Sequence, residues 1–225
     1  HVLDAIRQHL AGAQVLEADH VLAAADIVFG PGQQVVVLAD VGIADIEVVL
    51  ALGHHVDVQQ DLFGRLHAAL AARGYRINDP VVAYAAPVAQ LAQPVSSMAA
   101  FRHWPPLAIA CDLWAEGGIG PARLAVMDRV TGPKCAILGR TEDRPAGTAF
   151  VACHGKSAML HALEVTPAMR RRGSAHNMLR AAASWAQDQV AETFALVVTE
   201  ANAAARALYE AQGMVAVGQY HYRLQ

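Results

Sequence analysis

Three arginines, Arg170, Arg171 and Arg172, stand immediately before Gly173-Ser174-Ala175 in the stretch "LEVTPAMRRRGSAHNML". An apolar run stops at Pro167, the arginines follow, and Gly173 opens a segment with helical spacing. The first N–H groups of a helix lack intrahelical partners, and the summed peptide dipoles make that end partly positive. An anion placed there receives several hydrogen bonds at once. Gly173 removes the Cβ that would keep an anion off the main chain, and Ala175 is the next smallest choice. The arginines add attraction and bidentate contacts. The turn is built like a pyrophosphate cradle, yet the chain has no G-x-x-x-x-G-K-[ST] and no G-x-G-x-x-G after a strand, so nucleoside triphosphates and dinucleotides lose support. Seen alone, three arginines also read as a solvated turn, so the surrounding elements decide.

Those elements alternate strand and helix. Before the turn, "KCAILGR", "GTAFVACH" and "AMLHALEV" predict an antiparallel meander with turns at Arg144-Pro145 and His154-Gly155-Lys156. After it, Ala175, Met178, Leu179, Ala182, Ala183 and Ala186 form one apolar helical face. A strand "FALVV", a helix "NAAARALYEAQG" and a strand ending in "YHYR" follow, the last reading as sheet packing. Upstream, "PARLAVMDRV" predicts a helix with proline in its first turn. Further upstream, "QQVVVLAD" reads as a strand, "IADIEVVLAL" as a helix, "DLFGRLHAALAARG" as a helix capped by Gly74, and "VVAYAA", after Asp79-Pro80, as a strand.

The proline-rich segment Gln93 to Pro106 breaks the pattern and marks a boundary between a domain at 1–94 and one at 95–225. Laying "LHAALAARGYRINDPVVAY" over "ARALYEAQGMVAVGQYHYR" aligns Gly74 with Gly213 and Leu70 with Tyr209. Helix, glycine and strand form a common unit, so the match reads either as chance or as a duplication whose second copy is the active one.

Composition bounds the partners. The chain has 225 residues, 55% hydrophobic and 16% charged, which is globular, and no apolar run reaches the roughly 18 residues of a membrane span. A net charge of -3 argues against a general nucleic-acid binder. Cys111, Cys135 and Cys153 are odd in number and widely spaced, which suggests neither a disulfide framework nor a zinc site and fits a reducing cytoplasm. No signal peptide is legible, although the chain starts at His1 rather than at a methionine, and a cytoplasmic location is only the default expectation.

The run "LEVTPAMRRRGSAHNMLRAAASWA" followed by "FALVVTEANAAARALYEAQGM" resembles the GNAT superfamily of N-acetyltransferases. The family's motif for acetyl-coenzyme A is matched by Arg170, Gly173 and Ala175, and its later asparagine and tyrosine-bearing helix by Asn202, Tyr209 and Gly213. The resemblance covers about Ala108 to Gln225. It implies an α/β (α+β) fold, a central mixed and mostly antiparallel sheet flanked by helices, with a smaller, degenerate relative as the N-terminal domain. It implies acetyl-coenzyme A as co-substrate, its pyrophosphate on the turn from Arg170 through Arg171, Arg172, Gly173 and Ser174 to Ala175. The pantetheine arm would lie along Leu160 to Val165, pairing with the main chain of Leu163 and Val165, and Asn202 would help hold the cofactor. No metal is implied, the partner is a small-molecule or peptide amine, and a homodimer is left open because sheet edges in such folds often pair.

Acetyl transfer from a thioester to an amine needs a neutral amine, a polarised carbonyl and a protonated leaving thiolate. The resemblance gives Tyr209 the role of acid in direct transfer through a tetrahedral intermediate. Some members use a glutamate twelve residues ahead of the tyrosine, but that position is Val197. Strand alternation puts His161 on one face with Leu163 and Val165, and Glu164 on the other with Ala162. A histidine in a similar "HAL-V" strand occurs in the family, which favours His161 as base, with Glu164 as the lesser candidate and water-linked attack as the remaining route. Trp114 and Glu116 lie where the family's first helices line the acceptor pocket, and equally read as a packing tryptophan and a solvated glutamate. His154 reads as surface. Cys135 and Cys153 have no adjacent base to make them acetyl carriers. The rival reading is a non-catalytic module that binds or senses acyl-coenzyme A.

Overall fold

The computed structural model describes residues 67–224 and the backbones of three short strands at 16–17, 34–38 and 47–48. In chain order the strands are β1 (Leu16–Glu17), β2 (Gln34–Leu38), β3 (Glu47–Val48), β4 (Arg76–Pro87), β5 (Ala100–His103), β6 (Lys134–Thr141), β7 (Arg144–His154), β8 (Ser157–Val165), β9 (Thr193–Thr199) and β10 (Val215–Leu224). A mixed seven-stranded sheet runs β10-β4-β9-β8-β7-β6-β5, and β2 pairs in parallel with the outer side of β10. The expected meander is β6-β7-β8, and the "YHYR" strand packs between β4 and β2. Within 43–52, where the sequence suggests a helix, Glu47–Val48 is a strand paired with β1 and β2; the β-branched "IEVV" core of that segment suits a pleated surface better than a helix. The rest of that segment lies outside the described residues.

The strand β4 corrects the domain boundary. It belongs to the 1–94 range, yet it is hydrogen-bonded between β9 and β10. Val81, Ala83, Tyr84 and Ala86 are buried along it, so neighbouring residues are covered and the strand needs partners on both edges. It also begins earlier than the sequence suggests, at Arg76. Three β4 steps, Asn78 to Val81, match two on β10, Tyr222 to Tyr220, and this bulge accommodates Pro80 beside Asp79 at φ 42. No helix among the described residues is long and apolar enough to cross a membrane.

Each face of the sheet carries its own core. One face packs the helix Ser174–Asp188, whose buried Met178, Leu179, Ala182, Ala183 and Ala186 lie against Ile137, Ala149, Val151 and Leu160. Ala175, expected on the same apolar face, is only half-buried. Glycine lets this helix approach: a Cβ at Gly139 or Gly147 would run into Met178. The other face carries the helices Ala108–Glu116 and Pro121–Arg129, with Trp114, Ala110 and Met127 packed on Phe150 and Ala136.

The two aligned helix–glycine–strand units fold alike. Gly74 (φ 85) donates to Ala71 and Tyr75 to Leu70; Gly213 (φ 78) donates to Glu210 and Met214 to Tyr209. Leu70 and Tyr209 thus hold equivalent cap positions, and the strands that follow, β4 and β10, pair antiparallel.

Candidate active site

The site begins where two parallel strands part. Pairing between β8 and β9 runs from Ser157↔Thr193 to Leu160↔Leu196 and stops. Beyond it, β9 stays with β4 through Thr199, and β8 stays with β7 through Val165. The β9-facing main-chain edge of β8 from His161 onward is therefore left without a partner strand, a short template for an extended ligand. Leu163 and Val165, expected beside the pantetheine arm, lie on this edge with side chains half-buried against the Ser174–Asp188 helix core.

At the end of that edge, Gly173 sits at the helix N-cap with φ 83, in the left-handed region that glycine adopts without strain. The first intrahelical bond runs from Asn177 N–H to Gly173 O at 3.0 Å, which leaves the N–H groups of Ser174, Ala175 and His176 without intrahelical partners. A Cβ built on Gly173 would meet no protein atom within 4 Å, so the space above the glycine is open to a ligand. Ser174 is buried, and its hydroxyl lies 2.5 Å from that of Thr141 on β6, which pins the helix start to the sheet. The helix start is thus fixed by contacts beneath it.

The three arginines do different things. Arg170 turns inward: its Nε donates to Val165 O at 3.0 Å and its guanidinium pairs with Glu164 at 3.2 Å. Arg172 pairs with Glu142 at 2.8 Å. Arg171 is exposed, with its backbone at φ 63.

Strand alternation fails at one residue, and this corrects the expected faces of β8. Three β8 steps, His161 to Glu164, oppose two on β7, Phe150 to Thr148, so β8 bulges at Ala162, whose φ is 50. His161 pairs with Phe150 and Glu164 with Thr148, and so both face the Trp114 helix, while Leu163 and Val165 turn to the opposite core. Trp114, fully buried, donates its Nε1–H to the Ala162 carbonyl at 2.8 Å and so holds the bulge from the helix side. Gly117, one residue beyond the end of the same helix, lies so near Glu164 that a Cβ there would clash with it. Trp114 therefore packs and positions, while Glu116 is exposed.

His161 is half-buried on this face, 6.4 Å ring to ring from Phe150. Burial, together with the nearby Arg123 guanidinium, pulls its pKa down to about 4, so the imidazole is neutral at physiological pH. Beside Glu164 in the ladder, Thr148 Oγ1 is buried without a protein partner. His154 is exposed at the end of β7. Burial pushes the thiols of Cys135 and Cys153 up to about 11, against any role as nucleophiles.

On the other side of the parted strands, Asn202 caps the helix Ala203–Ala211 by accepting from Ala205 N–H at 3.1 Å. Tyr209, two turns later, is buried, and desolvation pushes its phenol up to about 12, so it stays protonated. Tyr84 of β4 supports this helix: its ring lies 6.0 Å from that of Tyr209, and its hydroxyl donates to Glu210 at 2.6 Å while accepting from Arg206. Val197, at the alternative glutamate position, is a half-buried β9 residue. Sequence reasoning passed over Arg123, Tyr84, Thr148 and the Ala162 bulge. The weak alternation of "SAMLHALEV" is the only trace of the bulge in the residues themselves.

A mixed sheet that opens between two central parallel strands, with an amide-lined helix N-terminus on one side of the opening and a protonated tyrosine on the other, defines the class of acyl-coenzyme A N-acyltransferase folds. The family model described as Acetyltransferase (GNAT) family matches residues 100–214, just over half of the chain, and the chain belongs to that family. No curated protein matches the sequence. Among solved structures, the chain is similar to the GCN5-related N-acetyltransferase from Kribbella flavida, with 18% identity, 68% of this chain and 61% of that one covered, and a TM-score of 0.51. It is also similar to the GCN5-related N-acetyltransferase from Sphaerobacter thermophilus, with 15% identity, 72% and 55% covered, and a TM-score of 0.51. A conserved protein of unknown function from Staphylococcus epidermidis matches at 11% identity, 75% and 66% covered, TM-score 0.51. At these identities the likeness is one of fold, and the match covers less than two thirds of each of these structures.

Proposed function

We propose that this chain transfers an acetyl group from acetyl-coenzyme A directly to a primary amine. The observation that carries the reading is the unpaired β8 edge leading from His161 to the open N-terminus at Gly173, which offers main-chain groups to an extended arm and N–H groups to a pyrophosphate. When bound, acetyl-coenzyme A supplies the activated acetyl group and a thiol leaving group. Ser174, Ala175 and their neighbours from Arg170 onward would hold its phosphates, with Arg171 as the exposed cation for the outer phosphate. Asn202 keeps its carbonyl on the helix cap, so its contribution to the cofactor would come through its amide NH2.

Tyr209 would donate a proton to the leaving sulfur, which its raised pKa permits by keeping the phenol protonated. We assign the base to Glu164 in preference to His161. Glu164 is preferred for its surroundings: it stands next to the Arg170 turn and beside the Thr148 hydroxyl, which gives its proton a water-mediated route, whereas desolvation holds the His161 imidazole against taking a charge. The orphaned Thr148 hydroxyl beside Glu164 would seat an ordered water that carries the proton between them. His161 would serve as a neutral hydrogen-bonding wall of the acceptor site. Thiol release from acetyl-coenzyme A across a panel of primary amines tests this: amine-dependent release is expected, and tight binding with no turnover by any amine would favour the sensing module instead.

A further inference from the structure

The helix Ala203–Ala211, which carries Tyr209, has nine residues, too few to keep an orientation without tertiary anchors. Three of its side chains, Arg206, Tyr209 and Glu210, meet a single residue of β4, Tyr84. Tyr84 is itself a fixed post. Its strand is hydrogen-bonded to β9 and β10, where it stands opposite Leu196 and Ala216, and the residue is 1% exposed. The Tyr84 ring lies 6.0 Å from the Tyr209 ring at an interplanar angle of 51°. Its hydroxyl donates its one proton to Glu210 Oε1 at 2.6 Å and accepts from Arg206 Nε at 3.2 Å, so both bonds are charge-assisted. Arg206 carries the tie further: its Nη1 donates to the Glu200 carbonyl at 3.3 Å, and the Glu200 N–H donates to Pro80 O of the same β4 strand at 2.7 Å. The segment leading into Asn202 and the turn holding Tyr209 therefore hang on one strand, with the Tyr84 hydroxyl as their common point.

Tyr84 lies upstream of residues 100–214, the stretch that matches the acetyltransferase family, so the helix of the proposed acid is anchored from outside that stretch. We propose that Tyr84 is the positioning residue for Tyr209: its ring and hydroxyl hold the helix Ala203–Ala211 at the angle from which the Tyr209 phenol reaches the leaving sulfur. This rests on the acetyltransferase reading above. Tyr84 touches no reacting atom in this role. A proton donor works only within about 3 Å of its acceptor, and a misplacement of roughly 1 Å can lower a rate by about a hundredfold. Tyr84→Phe keeps the ring and its packing and removes the hydroxyl alone.

Steady-state kinetics of Tyr84→Phe in two backgrounds, with acetyl-coenzyme A and the best amine, tests the assignment. In the wild-type background kcat should fall about tenfold while acetyl-coenzyme A affinity stays within about twofold. In the Tyr209→Phe background the same change should alter kcat by less than about twofold, because the group it positions is gone. Glu210→Ala should repeat the kcat loss, and Glu210→Gln, which still offers an acceptor oxygen, should recover most of it, with circular dichroism showing that each variant folds. An unchanged kcat in Tyr84→Phe would overturn the assignment. So would the same proportional loss in both backgrounds, which would make Tyr84 a strut of the fold and nothing more. Labelling with 3-fluorotyrosine adds an arm that needs no turnover: the Tyr209 fluorine resonance, assigned by its absence in Tyr209→Phe, should broaden or split in Tyr84→Phe. A Tyr209 resonance that stays a single unshifted line would overturn the positioning. If it broadens and no amine releases thiol, the positioning stands and the acetyltransferase reading fails.

Discussion

His161 and Glu164, three residues apart on one strand, face the same side of the sheet because Ala162 inserts a bulge between them. Two candidate proton acceptors that simple alternation would put on opposite faces therefore line one wall. The bulge has a cost, since a non-glycine residue at φ 50 is strained by roughly 1 kcal/mol. It has a holder as well, the Trp114 indole on the Ala162 carbonyl.

That holder can be removed. Trp114→Phe deletes the donor, leaves a carbonyl short of its partner in a buried setting and opens a small void, so urea denaturation should show a loss of about 2 kcal/mol or more. Ala162→Gly should instead gain a few tenths to about 1 kcal/mol by relieving the strain. A Trp114→Phe variant as stable as the wild type would remove the indole from this account.

The choice of base predicts an asymmetry. Glu164→Gln should lower kcat/KM by about a hundredfold or more at neutral pH, the usual scale for a general base, while His161→Asn should cost less than about tenfold. Steady-state kinetics with the best amine decides it. The opposite order would return the base to His161.

Acid stability should report the desolvated imidazole of His161. The unfolded chain binds a proton at His161 near the ordinary value of 6.5, whereas the folded chain holds off until about 4, so stability falls as pH drops through that window. Between pH 7 and pH 5 the loss from this group is about 2 kcal/mol, and above pH 7 it contributes nothing. His161→Asn should shrink the melting-temperature difference between pH 7 and pH 5; an unchanged difference would show that the imidazole is not held neutral by the fold.

Tyr209→Phe separates acid catalysis from binding. Turnover should fall by about a hundredfold while acetyl-coenzyme A affinity stays within about twofold. Unchanged turnover would take Tyr209 out of the mechanism.

Much of this was legible in residues. The meander, the Ser174–Asp188 face and the helix start at Gly173 followed from turn residues, apolar periodicity and one glycine. The faces of β8 were not, because a bulge is an extra residue with no side-chain signature at Ala162, and a single slip inverts every later assignment. The place of β4 escaped for another reason. Chain order suggested a boundary at the prolines after it, but strand pairing is non-local, and β4 finds its partners more than a hundred residues away.

The central claim is that backbone N–H groups from Arg170 to Ala175 hold a pyrophosphate. Calorimetric titration of coenzyme A, 3′-dephospho-coenzyme A and pantetheine into the wild type tests it most directly. The account predicts that removing the outer phosphate costs about tenfold or less, while removing the pyrophosphate as well costs about a hundredfold or more. Pantetheine binding as tightly as coenzyme A, or no binding of coenzyme A at all, would contradict it.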